Sequence, residues 1–364
     1  MDIKEFYRRK KVFVTGHTGF KGAWLCRILS YFGAEVTGYS LDPPTDPSLY
    51  ELTQTDRYVD SVIADIRDYG TLRKAFSDAR PEVVFHLAAQ PIVRESYRDP
   101  RTTYETNVMG TVNLLECVRS EDSVRSAVNV TTDKVYLNRE WEWGYREIDE
   151  LDGHDPYSNS KSCSELVTHS YKKSFLDEMG VSVSTARAGN VIGGGDFAAE
   201  RIIPDCVRAA LFDKEIVLRN PYSTRPYQHV LEPLFAYLMI AAEQYDDPGK
   251  AGYYNVGPDD SGCFETGRLV ELFVSKWGGN IKSLICSDGG PHEANFLKLD
   301  CSKIKSTFGW RPVWDLGTAM DKIVEWTRMY ADGASADELG NCMDLQIKEY
   351  SDAFNMIKRN EHNG

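Results

Sequence analysis

The 364-residue chain has no long hydrophobic run, no paired cysteine motif and no excess of positive charge. Each absence excludes a class of protein. The longest apolar stretch, Leu234 to Ala242, falls far short of the ~20 residues a membrane-spanning helix needs. Met1 to Lys11 is rich in charge, and only Val12 to Val14 follows before a glycine turn, which is not the pattern of a secretory signal. A cytoplasmic protein with no membrane partner is expected. The eight cysteines, Cys26, Cys117, Cys163, Cys206, Cys263, Cys286, Cys301 and Cys342, include no C-x-x-C pair and no cysteine–histidine cluster at zinc-ligand spacing. Reduced, structural thiols are therefore expected, and no metal site. The formal net charge of −13 repels nucleic acid and anionic membranes, so no nucleic-acid partner is expected and an anionic ligand needs a local positive pocket.

Hydrophobic residues at 42% and charged residues at 27% match ordinary globular usage. The length suits a large α/β unit or a nucleotide-binding domain with a smaller companion. From Lys11 to about Ala188, short apolar runs alternate with amphipathic stretches. Val12–Val14, Glu35–Tyr39, Ser61–Ala64, Val83–Leu87, Val124–Thr131 and Val181–Arg187 read as strands, with helical patterns between most of them. This alternation implies right-handed crossovers and a parallel sheet covered on both faces, a doubly wound α/β fold. After Gly189 the texture changes. Glycine and proline clusters at Gly193–Asp196, Asn220–Pro226 and Gly289–Pro291 interrupt helical pieces such as Ile203–Phe212 and Leu269–Trp277, predicting a second, smaller mixed α/β domain for substrate. Glu232–Gln244 followed by Tyr253–Gly257 reads as a return to the sheet. The expected division is 1–188 plus 226–257 against 189–225 plus 258–364.

Val12-Phe-Val-Thr-Gly-His-Thr-Gly-Phe-Lys-Gly-Ala-Trp-Leu sets Gly16, Gly19 and Gly22 between a strand and a helix. A pyrophosphate site needs glycines there, for a sharp turn, close backbone approach and tight helix packing. The helix N-terminus then supplies the anion site that the net charge withholds. The spacing, G-x-x-G-x-x-G, is one residue longer than the G-x-G-x-x-G fingerprint. Asp42 lies 20 residues past Gly22, beyond the second strand, where an acidic group binds the ribose hydroxyls of NAD, and no arginine accompanies it to select NADP. The run Asp42-Pro-Pro-Thr offers it equally as a plain turn residue. Asp65, after the third strand, faces the adenine or caps a helix.

Tyr157-Ser-Asn-Ser-Lys161 places a phenol and an ammonium four residues apart, on one face of a helix. A neighbouring Lys161 favours phenolate, so Tyr157 is expected to titrate closer to working pH and take an alcohol proton as hydride leaves. Upstream, Val128-Asn-Val-Thr-Thr-Asp-Lys-Val-Tyr is a strand ending in hydroxyl and charged groups. Ligands of parallel sheets bind at such carboxyl ends. There Thr132 is placed to hydrogen-bond the reacting oxygen, with Asp133 and Lys134 as an acid and a base; the alternative is a strand-end turn with solvated charges.

At these residues the chain resembles the extended short-chain dehydrogenase/reductase family and, within it, the CDP-glucose 4,6-dehydratases. The resemblance runs from Val12 through Trp310-Arg-Pro. It rests on Thr15-Gly-His-Thr-Gly-Phe-Lys-Gly, His86-Leu-Ala-Ala-Gln, Thr106-Asn-Val-Met-Gly-Thr, Thr131-Thr-Asp-Lys-Val-Tyr, Asp155-Pro-Tyr-Ser-Asn-Ser-Lys, Arg187-Ala-Gly-Asn-Val-Ile-Gly-Gly-Gly-Asp and Arg225-Pro-Tyr-Gln-His-Val. It implies a Rossmann fold and an NAD cofactor held by Gly16, His17, Gly19, Phe20, Lys21, Gly22, Asp42, Asp65, Ile66, Leu87, Ala88, Ala89, Tyr157 and Lys161. His17 either contacts the cofactor or caps the helix. In the implied reaction the C4 hydroxyl of a nucleotide sugar loses its proton to Tyr157 and C4 gives its hydride to NAD. The ketone acidifies C5–H, a base takes that proton, Asp133 protonates the departing C6 hydroxyl, and the hydride returns to C6. Other sugar-nucleotide 4,6-dehydratases usually carry glutamate where this chain has Lys134, so Lys134 as the C5 base is a hypothesis. For the substrate, the resemblance points to Gln90, Asn190 and Arg219, with Arg225 clamping the pyrophosphate; a surface ion pair is the alternative for either arginine. Asn107 is expected to hold a water or a backbone carbonyl. The helix from Pro100 and the one carrying Tyr157 resemble those that pair subunits into a homodimer or homotetramer, although their apolar faces serve equally as core. Competing readings are a dTDP-glucose or GDP-mannose dehydratase, a nucleotide-sugar 4-epimerase, and a non-catalytic NAD sensor.

Overall fold

The computed structural model describes residues 2–259, 262–279, 281–286 and 296–362; the Gly289–Pro291 cluster lies outside them. Six strands, β1 (Lys11–Thr15), β2 (Glu35–Ser40), β3 (Asp60–Ile63), β4 (Val83–His86), β5 (Ser126–Thr132) and β6 (Ser182–Ala188), fall within a residue or two of the runs read from sequence. Three short strands follow, β7 (Asn190–Ile192), β8 (Ile216–Leu218) and β9 (Thr224–His229), before β10 (Tyr253–Val256) rejoins the main sheet. The seven-stranded sheet has the order β10-β6-β5-β4-β1-β2-β3, and every neighbouring pair is parallel. β4, β5 and β6 are buried along their whole length, as expected of parallel strands with helices on both faces. The strand order reverses between β1 and β4, and open α/β sheets bind ligands at that crevice.

One face is covered by the Phe20–Tyr31 and Leu231–Asp246 helices, with Trp24, Phe235, Trp310 and Tyr350 in the same core. The second of these helices is buried on nearly every side, which explains its continuous apolar sequence. A second core, built on Phe13, Phe76, Val84 and Leu114, lies across the sheet. The Pro156–Tyr171 helix starts firmly: Pro156 occupies its first turn and the Asp155 carboxylate accepts from the Ser158 N–H at 3.0 Å.

The smaller sheets are β11 (Cys263–Glu265) with β9 and β7, and β12 (Ser283–Ile285) with β8. A third core joins them to the Ile202–Leu211, Thr266–Trp277 and Leu316–Ala331 helices through Ile203, Leu269, Phe273 and Met320. The Ala336–His362 helix packs elsewhere. Its Leu339, Met343, Ile347 and Tyr350 join the core of the large sheet, and Arg27 of the Phe20–Tyr31 helix pairs with its Asp344 at 2.6 Å. Among the described residues no helix is long and apolar enough to cross a membrane, and all eight cysteines are free.

Candidate active site

The glycine turn leaves β1 at Gly16, whose φ of +77° is a left-handed conformation that favours glycine. Its N–H donates to the Tyr39 carbonyl at 2.8 Å, and a Cβ there would come within 2.7 Å of the Ala88 nitrogen. At Gly22 a Cβ would come within 2.0 Å of the Gly16 carbonyl oxygen, so the helix sits against the turn at a distance no side chain permits. That helix starts at Phe20 with Gly19 as its N-cap, and no side chain caps it. Its first N–H groups are left for an anion. Thr15 Oγ1 accepts from the N–H groups of Leu87 and Ala88, each at 3.1 Å, fixing the loop after β4 beside the turn. A cradle that only glycine backbone can form, at an uncapped helix start, fits the diphosphate of a dinucleotide.

The other residues expected around that group divide. Phe20 and Lys21 face a cleft described below, while Leu87 and Ala88 adjoin the turn, with Ala89 next on the same loop. Ile66 is buried against Gly110. Asp42 is exposed in the loop after β2. Asp65 caps no helix: Asp68 caps the Tyr69–Ala79 helix, and the Asp65 carboxylate is held by Arg67 at 2.6 Å, which lowers its pKa. His17 corrects the sequence reading of its side chain. The ring is turned into the core, 2.7 Å from Ser61 Oγ and edge-on to Tyr50, rather than capping the helix. Burial lowers its pKa to about 4, so it is neutral.

At the carboxyl end of β5, Thr132, Asp133 and Lys134 meet Tyr157 around a cleft of about 490 Å³. Asp133 is buried; Thr132 Oγ1 donates to its Oδ1 at 3.0 Å, and its Oδ2 has no hydrogen-bond partner. Burial raises its pKa, against the opposing influence of Lys134, Thr132 and Arg225. Lys161 Nζ donates to the Val130 carbonyl at 3.1 Å, and burial lowers its pKa to about 8. Tyr157 departs from expectation. Burial pushes its pKa up to about 12, and the main opposing influences are the Thr132 hydroxyl and the Arg201 guanidinium rather than Lys161. The physical reason is desolvation: a phenolate in this interior loses more hydration than its helical neighbour returns.

The far wall of the cleft carries Asn190, Arg219 and Arg225, on three separate stretches of the smaller lobe. Gln90 is not brought into that wall. Its side-chain amide donates to Thr103 Oγ1 at 2.9 Å and accepts from the Ile92 N–H at 2.6 Å, so it braces the loop that leads into the cleft at Pro91 and Ile92. Asn107, in a π-helical turn, holds both backbone groups of Gln90, at 2.8 and 3.1 Å, as expected for a carbonyl ligand. Sequence reasoning missed Arg201, which lines the cleft, pairs with Asp196 at 3.2 Å and acts on both Tyr157 and Lys21. It also missed Arg94 and Glu200, 3.7 Å apart on the same rim. The signal available was an acidic and basic pair, Glu200-Arg201, closing the glycine-rich run before a helix.

A parallel sheet with a glycine turn at its switch point, and a Tyr157–Lys161 helix beside a hydroxyl-bearing strand end, defines an extended short-chain dehydrogenase/reductase. More narrowly, the chain belongs to the family described as GDP-mannose 4,6 dehydratase, which matches residues 13–323. It is 46% identical over 356 residues to a CDP-glucose 4,6-dehydratase of Salmonella typhimurium, covering 96% of this chain and 98% of that protein. A dTDP-glucose 4,6-dehydratase of the same organism is 26% identical over 344 residues, or 87% of this chain and 92% of the relative. Solved structures share the fold. A dTDP-glucose 4,6-dehydratase of Bacillus anthracis in complex with NAD superposes with a TM-score of 0.73 at 22% identity, over 90% of this chain and 99% of that one. A UDP-glucose-4-epimerase of Stenotrophomonas maltophila with bound NAD gives 0.77 at 21% identity, over 89% and 99%.

Proposed function

We propose that this protein is an NAD-dependent nucleotide-sugar 4,6-dehydratase that converts CDP-glucose to CDP-4-keto-6-deoxy-glucose. The choice of CDP-glucose follows the 46% likeness over nearly the full length of a CDP-glucose 4,6-dehydratase. The observation that carries the reaction type is Asp133, a buried carboxyl with one free oxygen in the same cleft as Tyr157. An epimerase exchanges hydride at C4 alone and has no use for an acid there.

NAD, when bound, would supply reversible hydride transfer at C4 and C6. Gly16, Gly19 and Gly22 would hold its diphosphate, with Phe20, Lys21, Ile66, Leu87, Ala88, Ala89 and Lys161 lining its site and Asp42 and Asp65 on the adenosine side. Tyr157 removes the C4 hydroxyl proton, and Thr132 turns its hydroxyl from Asp133 Oδ1 to that oxygen when substrate binds. Burial raises the pKa of Asp133, and this carboxyl gives its proton to the C6 hydroxyl as water departs. Lys134, which lines the cleft beside it, removes the C5 proton once the ketone has formed. Arg225 and Arg219 bind the pyrophosphate, Asn190 the sugar, and Gln90 shapes the entrance.

In this reading residues 1–188 plus 226–257 bind the dinucleotide and 189–225 plus 258–364 the nucleotide sugar, with the last helix bracing the first unit. The protein works in the cytoplasm as a homodimer or homotetramer, paired through the helices from Pro100 and Pro156, where Met109 and Leu166 are exposed. Mass spectrometry of the CDP-glucose product tests the function: loss of one water supports it, and an unchanged mass with inverted C4 favours the epimerase.

A further inference from the structure

The stretch from Arg187 to Asp196 singled out in the sequence begins with a side chain the reaction does not use. Arg187 and Glu165 are both almost wholly buried, with Arg187 Nε 3.0 Å from Glu165 Oε1 and Nη2 2.9 Å from Oε2. The same carboxylate accepts from Thr131 Oγ1 at 2.5 Å and Thr185 Oγ1 at 2.7 Å. Four hydrogen bonds from β5 and β6 thus converge on one group. Arg187 Nη1 also donates to the Tyr136 hydroxyl at 2.8 Å, which donates to Asn255 of β10 at 2.6 Å. A buried ion pair adds little stability compared with an apolar core, but once fully hydrogen-bonded it tolerates only one arrangement of its partners.

Glu165 lies four residues beyond Lys161 and eight beyond Tyr157, so all three share one face of the Pro156–Tyr171 helix. Lys161 donates to the carbonyl of Val130, and Glu165 takes the hydroxyl of Thr131. Consecutive residues of β5 therefore hold consecutive turns of the helix, immediately before Thr132 and Asp133. Burial, rather than neighbouring charge, is what works against the Lys161 ammonium. Lys21 from the Phe20–Tyr31 helix has its own pKa brought down to about 7, chiefly by burial and in part by Arg201 and Lys161, and Arg187 from β6 is bound to Glu165. His86 from β4 is kept neutral by burial. Tyr157, on the same helix, is protonated at neutral pH. The negative group acting on Lys161 is Glu165.

We infer that Glu165, locked in place by Arg187, is a positioning residue that keeps the Tyr157–Lys161 helix in register with the Thr132–Asp133 strand end and holds the Lys161 ammonium charged. The kinetic part of this inference rests on the function proposed above; the charge part does not.

The test is the titration of Lys161 in the full chain without substrate, followed by the 13Cε resonance of labelled lysine and assigned with Lys161→Arg. In Glu165→Gln the midpoint is expected to fall by about one pH unit, and the alkaline limb of kcat to move down with it while KM stays within about twofold. If Glu165→Gln does not fold, Glu165→Gln/Arg187→Gln removes the stranded cation as well, and its Lys161 midpoint is still expected below wild type. Glu165→Asp keeps the charge but shortens the reach, so an unmoved midpoint with kcat reduced about tenfold is expected. A lower Tm with midpoint and pH profile unchanged in the glutamine variants, or full kcat in Glu165→Asp, overturns the inference. Wild-type protein inert toward CDP-glucose counts against the proposed function while the Lys161 midpoints still decide this one.

Discussion

Thr132 Oγ1 donates to Oδ1 of Asp133 at 3.0 Å, while Oδ2 of the same buried carboxyl has no hydrogen-bond partner. One oxygen is fixed in place and the other is left to act. Since burial raises the pKa of the group, Asp133 holds its proton to higher pH than an exposed aspartate and releases it when a hydroxyl departs. Asp133→Asn keeps the shape but carries no acidic proton. Dehydration is expected to slow by ~10²–10⁴-fold while substrate still reduces NAD, seen as accumulating reduced-nicotinamide absorbance. Wild-type turnover in that variant would remove Asp133 from the role.

Tyr157 is expected to behave differently with and without ligands. In the cofactor-free protein its phenolate should form only near pH 12, read as the difference in alkaline ultraviolet titration between wild type and Tyr157→Phe. The same variant should bind CDP-glucose yet show no substrate-dependent reduction of NAD, because the C4 alcohol proton has no acceptor. A Tyr157→Phe enzyme that still forms ketone would assign the base elsewhere.

For Lys134 the discriminating signal is isotopic. Lys134→Ala is expected to reduce NAD with substrate but to leave the C5 hydrogen unexchanged with deuterated solvent, followed by NMR of the sugar. Exchange at the wild-type rate in that variant means another group takes the C5 proton.

A prediction about stability concerns Glu232, nearly fully buried in the Leu231–Asp246 helix. Its carboxylate accepts from the N–H groups of Val313 and Trp314 and from the Tyr350 hydroxyl, tying the C-terminal helix to the sheet. Burial raises its pKa to about 7 from 4.5, so the folded state holds this proton more tightly than the unfolded chain. Its contribution is complete below about pH 4.5 and is lost as pH rises through about 7, a change of ~3 kcal/mol. Thermal unfolding between about pH 4 and 7.5 should show Tm falling with pH, and Glu232→Gln should flatten the slope. A slope identical in the variant contradicts this assignment.

The strands were legible because each residue of a doubly covered parallel strand is buried: Val83–His86 and Ser182–Ala188 read as apolar or small-residue runs. The glycine turn was legible because a Cβ at Gly16 or Gly22 would lie 2.7 or 2.0 Å from neighbouring backbone, so no other residue fits. The titration of Tyr157 was not. The i,i+4 rule brings Lys161 close, but says nothing of the desolvation that outweighs it, nor of Arg201 arriving from a loop some forty positions away. Likewise the outward or inward turn of His17, and the inward use of Gln90, depend on partners such as Ser61 and Thr103 that only tertiary packing supplies. Lys134 was visible as a departure from the family pattern, and that departure is chemical rather than structural.

The most direct test follows one hydrogen. CDP-glucose carrying deuterium at C4 is incubated with the enzyme in ordinary water, and the product is examined by NMR and mass spectrometry. An intact internal oxidation, elimination and reduction places the deuterium at C6 of a 4-keto-6-deoxy sugar, with solvent hydrogen at C5. Deuterium lost to solvent, or retained at C4 with no loss of water, contradicts the account.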